Sequence, residues 1–158
     1  MAIGRKLYTL HRVQRMPITI ERAWEFFSNP ANLPEITPES MKFRPTSPLP
    51  SKMYPGLLIT YTVSPILSIP LKWVTEITHI DEPRMFSDEQ RFGPYKFWHH
   101  RHLFSPVTGG VEMEDIVTYA LPFDPCSRPV NGLMVRPKLE NIFNFRYEVI
   151  RKKFGSLD

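Results

Sequence analysis

His100 and His102, one residue apart, together with Asp88 and Asp115, are the side chains of this chain best suited to chemistry. An imidazole titrates near neutral pH, and a carboxylate held against one of its nitrogens fixes the tautomer and raises the basicity of the other. A His102–Asp115 pair is therefore the candidate for proton transfer, as general base or acid. The plainer reading of the same pair is a hydrogen-bonded couple that satisfies buried polar atoms. His100-x-His102 also has the spacing of two metal ligands on one strand face, with Asp88 or Asp115 near. His99 points to the other face and His79 ends a strand, so no third histidine is offered. On that ligand count neither a metal nor any other cofactor is expected. Cys126, on a proline-rich loop with no base nearby in sequence, reads as a bystander. No glycine-rich phosphate loop or nucleophile elbow occurs.

For His102 to face Asp115, the strands that carry them must pair in one register. Thr108-Gly109 as a two-residue loop pairs Val107 with Gly110. Trp98 then opposes Tyr119, His100 opposes Val117, His102 opposes Asp115 and Phe104 opposes Met113. Strand side chains alternate between faces, so these eight residues share one face. A second hairpin, turning through Asp81-Glu82-Pro83-Arg84, pairs Ile80 with Met85, Ile77 with Asp88, Thr75 with Gln90 and Trp73 with Phe92. Its face collects Trp73, Thr75, Ile77, Asp88, Gln90 and Phe92. A solid core rarely gathers Asp88, Gln90, His100, His102 and Asp115 beneath a helix, whereas a cavity holding water or a ligand accommodates them.

The rest of the chain supplies what must surround these hairpins. Residues 6–16 alternate as a strand. Thr19 caps a short helix from Ile20 to Ser28 whose apolar stripe is Ala23, Trp24 and Phe27. A second helical turn follows over Ala31–Ile36, then a short strand over Met41–Thr46 and a loop punctuated by Pro48, Pro50 and Pro55. Strands are expected over Leu57–Val63, Leu67–Ile80, Met85–Phe92, Lys96–Ser105 and Val111–Leu121. Residues 133–155 place Val135, Leu139, Ile142, Phe143, Val149, Ile150 and Phe154 at helical spacing. The order predicts an α+β fold, a long antiparallel meander with helices gathered on one face.

Composition narrows the classes. With 158 residues the chain suits one domain, residues 1–158, with room for a real core. Its 42% hydrophobic content excludes wholesale disorder and its 17 prolines exclude a helical bundle. One cysteine excludes a disulfide framework and points to a reducing, cytoplasmic setting. No run approaches the roughly 20 apolar residues of a membrane span, and no signal peptide is expected. A charge of +4 without a basic stripe excludes nucleic acid as a partner. The 20 aromatic residues (3 Trp, 6 Tyr and 11 Phe) are left to fill a solid core or line a hollow one.

The element order, ERAWEFFSNPANLPEITP (Glu21–Pro38), RFGPYKFWHHRHLF (Arg91–Phe104) and MEDIVTYALPF (Met113–Phe123) together resemble the START-like, or Bet v 1-like, superfamily. Within it the chain is similar to SRPBCC proteins of the polyketide cyclase/dehydrase type. The nearest branch is a domain also found fused to NAD-dependent epimerases labelled cell-division inhibitors. The resemblance implies a helix-grip fold, a curved antiparallel sheet wrapped around a long C-terminal helix, with two short helices after the first strand. Between sheet and helix it implies a cavity for a hydrophobic or aromatic small molecule. The expected wall combines Trp73, Thr75, Asp88, Gln90, Trp98, His100, Met113, Val117 and Tyr119, with Phe143 and Tyr147 from the helix. The leading expectation is a binding protein for such a molecule, without integral membrane association. The alternatives are a cyclase/dehydrase-type enzyme using His102 and Asp115 for proton transfer on a polyketide-like substrate, and an interaction module for a partner enzyme.

Overall fold

The computed structural model describes residues 6–64, 69–123 and 126–157. Period-two alternation and tight turns make the strands β1 (Tyr8–Met16), β2 (Arg44–Pro45), β3 (Leu58–Val63), β4 (Leu71–Asp81), β5 (Met85–Phe92), β6 (Phe97–Val107) and β7 (Gly110–Ala120). They form one curved antiparallel sheet in the order β1-β7-β6-β5-β4-β3-β2. The expected start of β4, Leu67, lies outside the described residues. β2 is shorter than expected, because Met41 belongs to a single 3₁₀ turn, Glu39–Met41.

The β6–β7 hairpin has the expected register throughout, from Val107 opposite Gly110 to Trp98 opposite Tyr119. The β4–β5 hairpin keeps Ile77 opposite Asp88 and Thr75 opposite Gln90, but the register shifts on both sides of that centre. Met85 pairs with Asp81 rather than Ile80, and Phe92 with Val74 rather than Trp73. The irregularities add a residue to one strand and bend the sheet. Their cost to the expectation is Phe92, which is 72% exposed rather than on the concave face.

Helix α1 (Ile20–Phe27) starts where the Thr19 hydroxyl accepts from the Arg22 amide, and it buries Ala23, Trp24, Phe26 and Phe27. A short 3₁₀ turn, Pro30–Asn32, follows it. After the proline-rich loop, one turn of helix α2 (Arg128–Val130) and a wide π turn (Asn131–Val135) lead into α3 (Arg136–Phe154), with Pro137 in its first turn. Leu139, Phe143, Arg146 and Ile150 are its buried residues. The spacing of four, three and four is one helix face. Leu139 and Phe143 pack with Leu10, Val117 and Tyr119 from β1 and β7, and Ile150 joins the cluster around α1. Burying each large apolar side chain contributes roughly 1.5–3 kcal/mol. Among the described residues no helix is long and apolar enough to cross a membrane.

Candidate functional site: a polar cluster at a cavity wall

Between the sheet, α1 and α3 lies a cavity of about 220 Å³. Most of its lining is apolar, with Phe27, Ile36 and Met53 from α1 and the following loops, Ile59 and Phe86 from the sheet, and Phe143 from α3. Asp88, His100, His102 and Arg146 bring charge to the same wall. Burial holds the phenols of Tyr61 and Tyr95, also in the lining, above their ordinary pKa, so both stay neutral.

The charged groups form one cluster. Asp88 on β5 sits directly across from His100 on β6, and Asp115 on β7 directly across from His102. Asp115 Oδ1 lies 3.0 Å from His100 Nε2 and 2.9 Å from His102 Nδ1. Asp88 Oδ2 lies 3.2 Å from His102 Nε2 and 3.7 Å from His100 Nδ1. The two imidazoles are 3.8 Å apart between centroids, and His102 stacks on Phe86 at 4.0 Å. Arg146 Nη2 reaches from α3 to within 3.4 Å of the same Asp115 oxygen.

Electrostatics divides the labour between the two histidines. Burial opposes charge on Asp115, but the Arg146 guanidinium and the imidazole hydrogen bonds outweigh it and hold the carboxyl well below its ordinary pKa. Burial also opposes charge on Asp88, and His102 and His100 hold it below the ordinary value. His100 is pushed down by burial and by its cationic neighbour, so it favours the neutral ring. For His102 burial is outweighed by Asp115 and Asp88, and its pKa rises. The two carboxylates thus face the Arg146 guanidinium and a His102 ring whose protonated form they favour. Because Asp115 is ionised, His100 donates to it through Nε2, which leaves Nδ1 as a lone pair 3.7 Å from Asp88. That nitrogen is a lone-pair acceptor on a ring that lines the cavity.

No family model matches the sequence, and no curated protein matches it. Solved structures do. One is norcoclaurine synthase from Thalictrum flavum in complex with dopamine and hydroxybenzaldehyde, at 10% identity over 95% of this chain and 90% of that one, with a TM-score of 0.66. Another is ginseng major latex-like protein 151 from Panax ginseng, at 15% identity over 96% and 99%, with a TM-score of 0.66. A third is protein Ms6760 from Mycobacterium smegmatis, at 19% identity over 92% of both chains, with a TM-score of 0.64. The chain has a Bet v 1-like fold. At these identities the likeness is one of architecture.

Within this Bet v 1-like frame the candidate residues separate into two groups. Trp73, Thr75, Asp88, Trp98, His100, His102 and Phe143 line the cavity. Asp115 stands behind the histidines, buried against both. Gln90, Met113, Val117, Tyr119 and Tyr147 lie off the wall. Gln90 instead clamps the β5–β6 connection, donating to the Tyr95 carbonyl at 2.8 Å and accepting from the Tyr95 amide at 3.2 Å. Val117 and Tyr119 belong to the core behind α3, where the Tyr119 hydroxyl donates to Asn131 at 2.8 Å. Met113 packs in the core around α1, and the Tyr147 carbonyl accepts from Gln14 at 3.0 Å. Sharing a sheet face does not place a residue in the hollow, because part of that face is filled by α3 itself.

Arg146 is the residue the sequence reading passed over. It lies three residues after Phe143 and four before Ile150, on the apolar seam of α3, and an arginine on such a seam is itself a signal of a buried acid. Phe27, Ile36 and Met53 carried no such signal, since apolar residues there read as ordinary core.

Proposed function

We propose that the chain, over its whole length, is a ligand-binding domain that holds one hydrophobic or aromatic small molecule in this cavity. The observation that carries the reading is the cavity of about 220 Å³, apolar around most of its wall, with a charged cluster where Asp88, His100, His102 and Arg146 converge. Such a wall takes an apolar body by burial and orients it through a few fixed polar groups. Trp73 and Arg146 add support, because the indole N–H and the guanidinium Nε–H are buried without an acceptor among the described residues. A ligand oxygen supplies one after a small side-chain movement. The norcoclaurine synthase structure, with dopamine and hydroxybenzaldehyde bound, shows aromatic molecules held within the same fold. A single exposed cysteine fits a cytoplasmic setting.

N-phenyl-1-naphthylamine, an uncharged dye that brightens in apolar surroundings, tests the reading. The expected result is saturable, one-to-one binding by the wild-type chain and at least tenfold weaker binding by Ile59→Trp, which fills the cavity from β3. Absence of saturable binding by the wild type, or an Ile59→Trp variant that binds equally well, overturns it.

A specific observation favours a second reading, a proton-transfer enzyme of the cyclase or dehydrase type. His102 is held between two carboxylates while His100 Nδ1 keeps a lone pair at the cavity wall. On that reading His100 is the base, and His102 with Asp115 sets its environment.

A further inference from the structure

We propose that Asp88, His100 and His102 form a three-ligand site for a divalent transition-metal ion, open toward the cavity. The inference is independent of the organic ligand, because it rests on where three donor atoms and their supports lie. One donor atom from each of these residues can be chosen so that all three lie within 4.8 Å of one another. His102 Nε2 and His100 Nδ1 sit 3.2 Å and 3.7 Å from the same Asp88 oxygen. In a tetrahedral site with bonds of 2.0–2.1 Å, neighbouring donors are about 3.3 Å apart. Both donor separations to Asp88 therefore lie within a few tenths of an ångström of that spacing, and the third is no more than 4.8 Å. The strands that carry them are paired neighbours, with Asp88 opposite His100, so the set is pre-assembled by the sheet.

The atoms turned away from this point argue for a metal more strongly than the three donors do. Metal-binding imidazoles nearly always engage a carboxylate or carbonyl through the other ring nitrogen, which fixes the tautomer and the ring orientation. Here a single buried carboxylate, Asp115, serves both rings, at 3.0 Å from His100 Nε2 and 2.9 Å from His102 Nδ1. Arg146, 3.4 Å from the same oxygen, balances the Asp115 charge. With both rings neutral, the donor set with its support carries one net negative charge, which suits a dication. The third ligand that the histidine count failed to find is a carboxylate from the next strand. Two imidazoles and one carboxylate select a first-row ion such as zinc or ferrous iron over calcium or magnesium. The remaining coordination position faces the cavity, where the hydroxyl or carbonyl oxygen of a bound organic molecule can reach it.

The full chain, dialysed against chelator, is titrated with Zn(II) by calorimetry and with Co(II) by visible absorption. The expected result is one equivalent bound with a Kd below about 10 μM and a Co(II) spectrum intense enough for a low-coordinate site. Asp88→Asn and His100→Gln each weaken binding at least about 100-fold, and Asp115→Asn weakens it about 10- to 100-fold without changing the stoichiometry. His79→Gln and His99→Gln leave it unchanged. No stoichiometric binding by the wild type, affinity unaltered in Asp88→Asn, or loss in His79→Gln or His99→Gln overturns the proposal. The wild-type titrations need no variant to fold, and near-ultraviolet circular dichroism confirms the fold of each variant used. Dye binding by the wild-type chain is read separately, so failure here is distinct from failure of the ligand-binding reading.

Discussion

Arg146 holds the buried cluster together at the scale of single residues. Its guanidinium is almost wholly buried, stands 3.4 Å from Asp115 and lies over the rings of Phe27 and Phe143. Removing one partner of such a pair leaves an uncompensated charge in the interior, which costs about 3–5 kcal/mol. Arg146→Met is therefore expected to lower stability by about that amount at neutral pH, measured by urea denaturation. The same experiment repeated along pH carries a signed consequence. Asp115 has a folded pKa well below its ordinary value, so its stabilisation is present above the unfolded value and is lost as pH falls below about 4. Without the guanidinium the folded pKa climbs toward the ordinary one. The acid-side loss attributable to Asp115 then shrinks, and a variant with the wild-type slope between about pH 4 and 2 contradicts this account. The pairing of His102 with Asp115 was readable in the sequence, because a two-residue loop leaves little freedom of register. Asp88 opposite His100 was not. The connection between β5 and β6 is irregular, and the Gln90 clamp on Tyr95 that sets it can be seen only in three dimensions.

The elements tolerate very different amounts of change. The β6–β7 turn has Gly109 at a φ of +84° and Gly110 against the end of β1. A Cβ at Gly110 falls 1.9 Å from the Met16 carbonyl oxygen, so backbone must give way. Gly110→Ala is expected to cost about 2 kcal/mol or more. A melting temperature within a degree of wild type refutes that reading of the contact. The β4–β5 hairpin shows the converse. Its two register shifts were hidden because the sequence alternation survives them at the centre, where Ile77 and Thr75 keep their expected partners, and fails only at the ends. In α3 the apolar spacing located the helix and its buried face, while the π turn before it has no periodicity of its own.

For the whole molecule, the hollow makes stability uneven. β6 and β7 pair along eleven residues each and are flanked by β1 and β5, whereas β2 adds two residues at the far edge. Native-state amide exchange is expected to be slowest over His100–Phe104 and Met113–Val117, and faster by about 100-fold or more over Leu58–Val63. Equal protection in the two regions counts against a cavity that softens one side of the sheet. The α+β class was legible from element order, since a meander followed by one long amphipathic helix has few ways to bury its faces, while the helix-grip arrangement came from the family resemblance. The division of the concave face into hollow and filled parts was not, because it depends on how deeply α3 settles against β1 and β7. The order of the sheet also bears on behaviour at high concentration. An open sheet has two outer strands able to recruit a second molecule. Here one is only two residues long and includes Pro45, which has no amide hydrogen to offer, and the other carries His11, Arg12 and Arg15. Growth of fibres by strand addition is hindered at one border by the missing amide hydrogen and at the other by polar side chains along the edge.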